Sequence, residues 1–203
     1  MIRNENMDPV RRFTMLYREH HSRVRDFAYR RVGADLADDI VADTFLVTWR
    51  RINDVPDAAV PWLFRVALYE IANLRRRQAK ALRLQSALLE GNSGAGVAPS
   101  SDDAMDLVRA VAHAFDSLSP REQEILRLAA WEHLSAAEGA AVLGCSVSAY
   151  RMRLHRARAN LATRSGAQDR TRAPRHDAPV AASVLARAIA LGHSPLEETE
   201  LLL

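Results

Sequence analysis

The chain has 203 residues, of which 48% are hydrophobic and 26% charged, and its formal net charge is +3. This length is enough for one or two compact domains with real hydrophobic cores, and the small net charge excludes a uniformly polycationic chain. The single cysteine, Cys145, excludes an internal disulfide and a cysteine-based zinc site, and no apolar run approaches the roughly 20 residues that span a bilayer.

The first predicted helix runs from about Asp8 to Val32, where apolar residues recur at helical spacing, and Gly33 ends the pattern. The start of the chain, MIRNENMDPVRR, lacks the apolar core of a signal peptide. We therefore expect a soluble, cytoplasmic protein with no membrane insertion.

The second predicted helix spans about Leu36 to Ile52. Its apolar residues, which share one side, are Ile40, Val41, Phe45 and Trp49. Its carboxylates, which the helix dipole favours in the N-terminal half, are Asp38, Asp39 and Asp43. No paired histidine accompanies these acids, so the pattern favours a solvated or partner-facing acidic surface over a metal site. We expect neither a metal nor a cofactor.

The loop NDVPDAAVP separates this helix from a third, because two prolines break the helical pattern. The third predicted helix, from Pro61 to about Leu84, carries Trp62 in its first turn and three consecutive arginines at 75–77. A loop followed by a helix with aromatic and arginine side chains is typical of proteins that bind unstacked single-stranded DNA. A lone tryptophan in such a stripe is more often part of a core, whereas packing explains the arginine triplet less well.

The composition changes from about Ser86 to Ala104, where EGNSGAGVAPSSDD is rich in Gly, Ser and Pro and has no basic residue, which predicts a flexible linker. Helical periodicity resumes at Met105, and a capping box at Ser119–Glu122 opens the helix PREQEILRLAAWE. No segment shows convincing strand alternation, so we predict an all-α chain. Its predicted parts are a first helical module, a linker, a second helical module and a C-terminal extension, in residues 1–85, 86–104, 105–164 and 165–203.

The stretch Leu134–Arg158 divides into two short helices around a tight turn that contains Gly144. Ser135 with Glu138 can form a capping box on the first helix, and Ser146 can cap the second. The second helix carries four arginines and no acid, which suits a DNA major groove, where arginine contacts guanine edges and phosphates. The alternative is an ordinary solvated amphipathic helix, but the turn, the caps and the one-signed charge occur together.

The C-terminal extension begins with a basic, polar stretch at 165–176 and continues with candidate helix caps at Asp177 and Ser194 around an apolar stripe. Helices this short are marginal alone in water. We hypothesise that the extension is ordered only when one of the modules or a partner protein covers its apolar faces. The alternative is an extension without a role.

The segment LSPREQEILRLAAWEHLSAAEGAAVLGCSVSAYRMRLHRARANL resembles region 4, the C-terminal promoter-recognition module of bacterial sigma factors. The segments LADDIVADTFLVTWRRI and PWLFRVALYEIANLRRR resemble region 2 of the same family. Both modules in this order, joined by a linker without region 3 helices, are similar to the extracytoplasmic-function (ECF) group of the sigma-70 family.

The resemblance implies a non-enzymatic RNA polymerase sigma factor that recognises two promoter elements and melts the −10 region. Its implied partners are promoter DNA and core RNA polymerase, through the β′ clamp helices and the β flap, and an anti-sigma factor is left open. The residues implied at the β′ clamp helices are Asp38, Asp39, Asp43, Phe45, Arg50 and Arg51. Those implied at the −10 element, with the loop from Asn53 to Val60 receiving a flipped base, are Asn53, Asp54, Trp62, Arg65, Asn73, Arg75, Arg76 and Arg77. Those implied at the −35 element are Ser148, Arg151, Met152, Arg153, His155 and Arg156.

Three residues depart from the usual pattern of the family. Gly139 stands where a branched apolar residue is usual, which should cost the helix about 1 kcal/mol relative to alanine and leave a packing gap. Tyr150 replaces a usual valine in the second helix of the pair. Tyr69 occupies a position often held by asparagine or arginine.

A second interpretation is a stand-alone regulator, because LSPREQEILRLAAWEHLSAAEGAAVLG also resembles LuxR-type helix-turn-helix effector domains. Such a protein would carry a receiver or ligand-sensing domain with strands in its first half, and this sequence lacks them. An enzyme is disfavoured, because the sequence has no Gly-rich phosphate loop, nucleophile elbow, HExxH motif or cysteine cluster.

Overall fold

The computed structural model describes residues 7–86 and 103–165. Within these two ranges the chain is helical and contains no strand, which confirms the all-α prediction for the described part. The predicted linker at 87–102 and the hypothesis about the C-terminal extension at 166–203 lie outside the described residues.

The helices follow one another with short connections, apart from the break between the two described ranges. They are α1 (Pro9–Val32), α2 (Ala34–Arg50), a short 3-10 helix (Ile52–Asp54), α3 (Ala59–Ser86), α4 (Asp103–Asp116), α5 (Pro120–Ala130), α6 (Ala136–Leu143) and α7 (Val147–Arg164).

The N-terminal unit is built from α1, α2 and α3, each of which packs on the other two. Its core is centred on two stacked rings, because Phe27 of α1 and Phe64 of α3 are both fully buried with ring centroids 4.0 Å apart. Ile40 of α2 and Leu63 and Ile71 of α3 are buried as well. Each such side chain contributes about 1.5–3 kcal/mol when it leaves water, so this core holds the three helices together.

The junction of α1 and α2 depends on Gly33. Its φ of 80° lies in the left-handed region that favours glycine, and its N–H donates to the carbonyl of Tyr29, which ends α1 as predicted. The second helix begins at Ala34, two residues earlier than expected, because Gly33 is also its N-cap. It ends at Arg50, and Ile52 belongs to the following 3-10 helix.

Two threonines lie in the middle of this core. Thr44 and Thr48 of α2 are both fully buried, and their hydroxyls donate to the carbonyls of Ile40 and Thr44 at 2.7 and 2.8 Å. A buried hydroxyl without a partner would cost free energy, and these bonds to the preceding helical turn remove that cost. The polar positions in the apolar stripe of α2 are therefore compatible with its burial.

The C-terminal unit contains α5 packed on α7, with α4 also against α7. Phe115, Leu126, Leu128 and Tyr150 are among its fully buried side chains. The predicted capping box of α5 is confirmed, since the Ser119 N–H donates to the Glu122 carboxylate at 3.0 Å and the Glu122 N–H donates to the Ser119 hydroxyl at 3.4 Å.

Candidate nucleic-acid interface

The predicted helix-turn-helix is present in α6 and α7. Ser135 and Glu138 form the reciprocal capping box on α6, with bonds of 2.8 and 3.3 Å. Gly144 has a φ of 63° after α6, and Ser146 caps α7 by accepting the N–H of Ala149 at 3.2 Å. All three local predictions for this motif are confirmed. The second helix was predicted to run through Arg158 and beyond, and it ends at Arg164.

One side of α7 is buried and the opposite side is exposed. Tyr150, Ala157 and Leu161 are buried in the C-terminal unit. Because successive helical residues are rotated by about 100°, the opposite stripe consists of Ser148, Met152 and His155, all of which are exposed. Arg151 and Arg156 are also exposed and lie on either side of this stripe. The exposed side of α7 therefore has a hydroxyl, a thioether and an imidazole at its centre, with a guanidinium group on each side.

Arg153 lies on a different side of α7 from the exposed stripe. By helical rotation it shares its side with Asn160 and Arg164. The amide of Asn160 donates to the Glu122 carboxylate, and the Arg164 guanidinium donates to the carbonyl of Ser117, so this side faces the start of α5. The Arg153 side chain is exposed, but it lies at the flank of this stripe rather than at its centre.

The packing gap expected at Gly139 is not present, and this expectation was wrong. The ring of Tyr150 fills the space, because a Cβ placed on Gly139 would lie only 2.4 Å from Tyr150 Cζ. Tyr150 is 1% exposed, and its hydroxyl has no hydrogen-bond partner among the described residues. Burial raises the pKa of this phenol, which therefore stays neutral. The two departures from the family pattern thus compensate each other in volume.

The third helix also has one buried and one exposed side. Leu63, Phe64, Ala67 and Ile71 are buried. The opposite side carries Arg65, Tyr69, Arg76 and Lys80, which are exposed, together with the half-buried Trp62 and Asn73. Sequence reasoning noted Tyr69 as unusual without assigning it to the site, and its ring is 61% exposed.

Hydrogen bonds connect the middle of this side. The Asn73 amide donates to the Glu70 carboxylate at 3.2 Å, and the Arg76 guanidinium donates to the Asn73 side-chain oxygen. The guanidinium carbon of Arg76 lies 6.0 Å from the centre of the Tyr69 ring. A cation at this distance is at the outer edge of the cation–π range, so the ring and the guanidinium form one local surface.

The three arginines at 75–77 do not behave alike. The Arg75 guanidinium donates to the carbonyl of Arg31 at 3.2 Å, which is one of the last carbonyls of α1. Helix C-terminal carbonyls lack intrahelical partners, so this bond caps α1. All three arginines are exposed, but Arg75 has this structural contact in addition to its predicted DNA contact.

The loop before α3 is held on both sides. The guanidinium of Arg12 on α1 donates to the carbonyl of the buried Val55. The side chain of Arg51 pairs with Asp54, with Nε and Oδ2 2.9 Å apart, so two predicted site residues contact each other. Asn53 is exposed at the same turn. The structure therefore leaves Asn53 accessible on an anchored loop.

The residues of the acidic helix α2 that were predicted to contact polymerase differ in their exposure. Asp39 and Arg50 are exposed, Asp43 is half-buried, and Asp38 pairs with Arg25 of α1 at 2.9 Å. Phe45, by contrast, is only 3% exposed. Its ring lies 4.8 Å from that of Tyr17 in an aromatic cluster between α1 and α2. A direct contact between Phe45 and a partner therefore does not fit the structure, because the core already covers this ring.

Trp49 is the reverse case, because it is more exposed than the sequence predicted. Its periodicity assigns it to the buried side of α2, yet it is 42% exposed. It lies at the end of the aromatic cluster, with its ring centroid 5.3 Å from that of Phe13. Leu46 is exposed close by on the same helix. Sequence periodicity does not identify these two exposed apolar residues, because the boundary of a buried stripe depends on the neighbouring helix.

Within residues 7–86 and 103–165, no three His, Cys, Asp or Glu side chains converge as metal ligands would. No helix in the same ranges is long and apolar enough to cross a membrane.

One unit carries an arginine-rich helix-turn-helix and the other a basic helix with an exposed aromatic ring, and the described residues are helical, which together define the class as an all-helical DNA-binding protein. Residues 16–81 match the family profile of Sigma-70 region 2, and residues 109–161 match that of Sigma-70, region 4. The chain belongs to the sigma-70 family of RNA polymerase sigma factors, and its relatives are of the ECF group. The LuxR-type alternative is disfavoured, because the first half matches region 2 and its described part is helical.

Two curated relatives are RNA polymerase sigma factors. The chain is 29% identical over 151 residues to NccH of Alcaligenes xylosoxydans xylosoxydans, which covers 70% of this chain and 81% of the relative. It is 36% identical over 135 residues to CnrH of Cupriavidus metallidurans, which covers 61% of this chain and 70% of the relative. Members of this family act in transcription initiation by binding core RNA polymerase and promoter DNA.

Two solved structures are similar in fold. CnrH in complex with the cytosolic domain of CnrY is 29% identical, with a TM-score of 0.53 over 80% of this chain and 90% of that chain. The sigma factor RpoE from Bartonella quintana, in complex with the anti-sigma factor NepR, has a TM-score of 0.54 over 75% of this chain and 95% of that chain. At 22% identity, the second likeness concerns the fold alone.

Proposed function

We propose that this sigma factor directs promoter-specific initiation by reading a −35 element with α7 and by binding and melting a −10 element with α3 and the loop before it. The observation that carries the proposal is the exposed side of α7, where Arg151 and Arg156 flank Ser148, Met152 and His155 opposite the buried side. A helix with this distribution can enter a major groove with its buried side still held by the protein.

At the −35 element, the two flanking arginines have the chemistry for guanine edges or phosphates. Met152 and His155, between them, can contact base edges, including the methyl group of thymine. Arg153 lies at the flank, so we assign it to the phosphate backbone rather than to a base. Specificity should therefore depend mainly on the central stripe and its two neighbouring guanidinium groups.

At the −10 element, α3 carries six basic residues and one acid along its length, which favours binding to phosphates. We assign the contacts with the melted strand to Trp62, Arg65, Asn73, Arg76 and Arg77. Asn53 is the exposed residue of the anchored loop, and we place a flipped base beside it. Flipping costs a few kcal/mol of unstacking, which contacts with the loop must offset. A loop held by Arg12 and Arg51 needs little ordering when the base binds.

For core RNA polymerase, we propose that Asp39, Asp43 and Arg50 of α2 contact the β′ clamp helices, with Leu46 and Trp49 exposed on the same helix. Asp38 contributes through its pair with Arg25, and Phe45 supports the surface from below. The C-terminal unit is proposed to contact the β flap. Because the relative CnrH was solved in complex with the cytosolic domain of CnrY, we propose an anti-sigma protein as a second partner of this chain.

Run-off transcription with purified bacterial core polymerase on candidate promoters tests the proposal. The expected result is initiation that requires both the core enzyme and this protein. A variant with both Arg151→Ala and Arg156→Ala should lose initiation on promoters that need the −35 element, and Arg121→Ala, an exposed arginine on α5, is the matched control. Absence of core-dependent initiation on every promoter would contradict the proposed function.

A further inference from the structure

We propose that Tyr69 is a stacking platform for an unpaired base of the melted −10 strand. This inference rests on the proposed function and adds a DNA contact that the sequence did not assign. It identifies the occupant of the exposed surface of α3 as single-stranded DNA, bound through the π-face of one base and through neighbouring phosphates.

The first observation is the position of the ring. Tyr69 is 61% exposed, although the residues on the other side of the same helix, including Phe64 and Ala67, are completely buried. Its exposure therefore does not result from loose packing of α3. A tyrosine with this exposure leaves a large, flat face available to a ligand.

The second observation is the set of neighbours. Arg65 and Asn73 are one turn before and after Tyr69, and Arg76 is two turns after it, so all lie on the same side of α3. Asn73 accepts a hydrogen bond from Arg76 and donates one to Glu70, which holds the guanidinium of Arg76 beside the ring. The ring is thus bordered by groups that bind phosphates and base edges.

The third observation is the charge of the helix. The single acid of α3 is Glu70, which accepts the hydrogen bond from Asn73, and six basic residues share the same helix. This positive charge is complementary to a phosphate backbone. Aromatic rings in positively charged grooves are the means by which proteins bind single strands without reading sequence, because every base has a π-face. Stacking on Tyr69 should therefore tolerate any base.

The test uses the complex of this protein with core polymerase and a promoter fragment whose −10 segment is single-stranded. Tyr69→Ala should weaken binding about five- to a hundredfold, the range of one lost base–aromatic stack. Tyr69→Phe should bind like the wild type, because stacking needs the ring and not the hydroxyl. Tyr29→Ala removes a tyrosine that is 37% exposed on α1 and serves as the matched control.

A scan of abasic sites identifies the stacked base. Removing that one base should weaken binding of the wild type and have no further effect on Tyr69→Ala, while abasic sites elsewhere should affect both proteins equally. The slope of log affinity against log salt should stay unchanged in Tyr69→Ala, since no charge is lost. Equal losses at every abasic site, or weaker binding to core polymerase without DNA, would mean that Tyr69 is a structural or protein-contacting residue.

The outcomes separate this inference from the proposed function. If Arg65→Ala impairs initiation and Tyr69→Ala does not, the proposed function stands and the stacking inference fails. If the wild-type protein supports no core-dependent initiation, both fail.

Discussion

The two basic helices α3 and α7 differ in what surrounds their arginines. On α7, Arg151 and Arg156 border an exposed stripe that contains no Phe, Tyr or Trp. On α3, Arg76 lies beside the exposed ring of Tyr69, and Arg75 caps α1. A duplex offers base edges in its groove, whereas an unpaired strand offers base faces. The same residue type therefore fits two different states of promoter DNA, according to its neighbours.

The largest expected effect concerns α7. Arg151→Ala or Arg156→Ala should weaken binding to a −35 duplex by about 1–3 kcal/mol, and base preference should relax where the lost contact is to a base edge. Binding of the complex with core polymerase to a single-stranded −10 fragment should not change. Competition binding with the two DNAs measures both quantities. If neither substitution alters duplex binding or base preference, α7 is not the recognition helix.

The contact between Gly139 and Tyr150 should affect stability by a similar amount. In Gly139→Ala the new Cβ would lie 2.4 Å from the tyrosine ring, and such overpacking costs about 1–3 kcal/mol. Helix propensity returns roughly 1 kcal/mol, so the expected net loss is up to about 2 kcal/mol. Thermal unfolding should show the loss, and the double variant Gly139→Ala, Tyr150→Val should recover part of it. If Gly139→Ala alone is as stable as the wild type, the ring moves away at no cost and does not hold α6 against α7.

The arginine triplet of α3 should divide into two kinds of residue. Arg75→Ala should destabilise the protein by about 0.5–1.5 kcal/mol through the lost bond to the Arg31 carbonyl. Arg77→Ala should leave stability unchanged and should reduce the salt dependence of single-strand binding by about 0.7 in slope. Chemical denaturation and salt titrations measure the two effects. Equal behaviour of both variants in both assays would contradict the division, and Tyr29→Ala is the control without a charge change.

The smallest effect concerns the pH dependence of stability and Glu122, in the first turn of α5. Hydrogen bonds from the Ser119 hydroxyl and then from Asn160 lower the pKa of Glu122 from its ordinary value of 4.5. A lowered pKa means that the carboxylate stabilises the folded state above the unfolded pKa, and that this contribution is lost as the pH falls through the folded pKa. The group is near the surface, so the loss should be small. Thermal unfolding from about pH 6 to pH 3 should show it, and Glu122→Gln should lack it.

The local features of this protein could be predicted from the sequence, since each depends on residues three or four positions apart. The caps at Ser119, Ser135 and Ser146 formed as expected, and Gly33 and Gly144 end their helices as predicted, both with positive φ. Helix boundaries differed by about two residues, because Gly33 serves two helices at once. The periodicity also predicted the burial of Tyr150 and Ala157 on α7 and of Leu63 and Ile71 on α3, whereas Trp62 is only half-buried.

The composition of the candidate site was less predictable. Phe45 and Trp49 lie one turn apart in the same apolar stripe, yet α1 covers the first and leaves the second exposed. Arg75 and Arg77 are nearly adjacent, and only the first reaches the end of α1. Tyr69 was visible as an unusual residue, but its exposure on a tightly packed helix was not.

The sequence alone determined the helical architecture of the described residues, the helix caps and the membership of the sigma-70 family, because periodicity, caps and motifs are properties of neighbouring residues. Tertiary structure decided which arginine caps a helix, which aromatic ring stays in water and how Tyr150 fills the space left by Gly139. These outcomes depend on contacts between separate helices, where sub-ångström differences in packing determine burial.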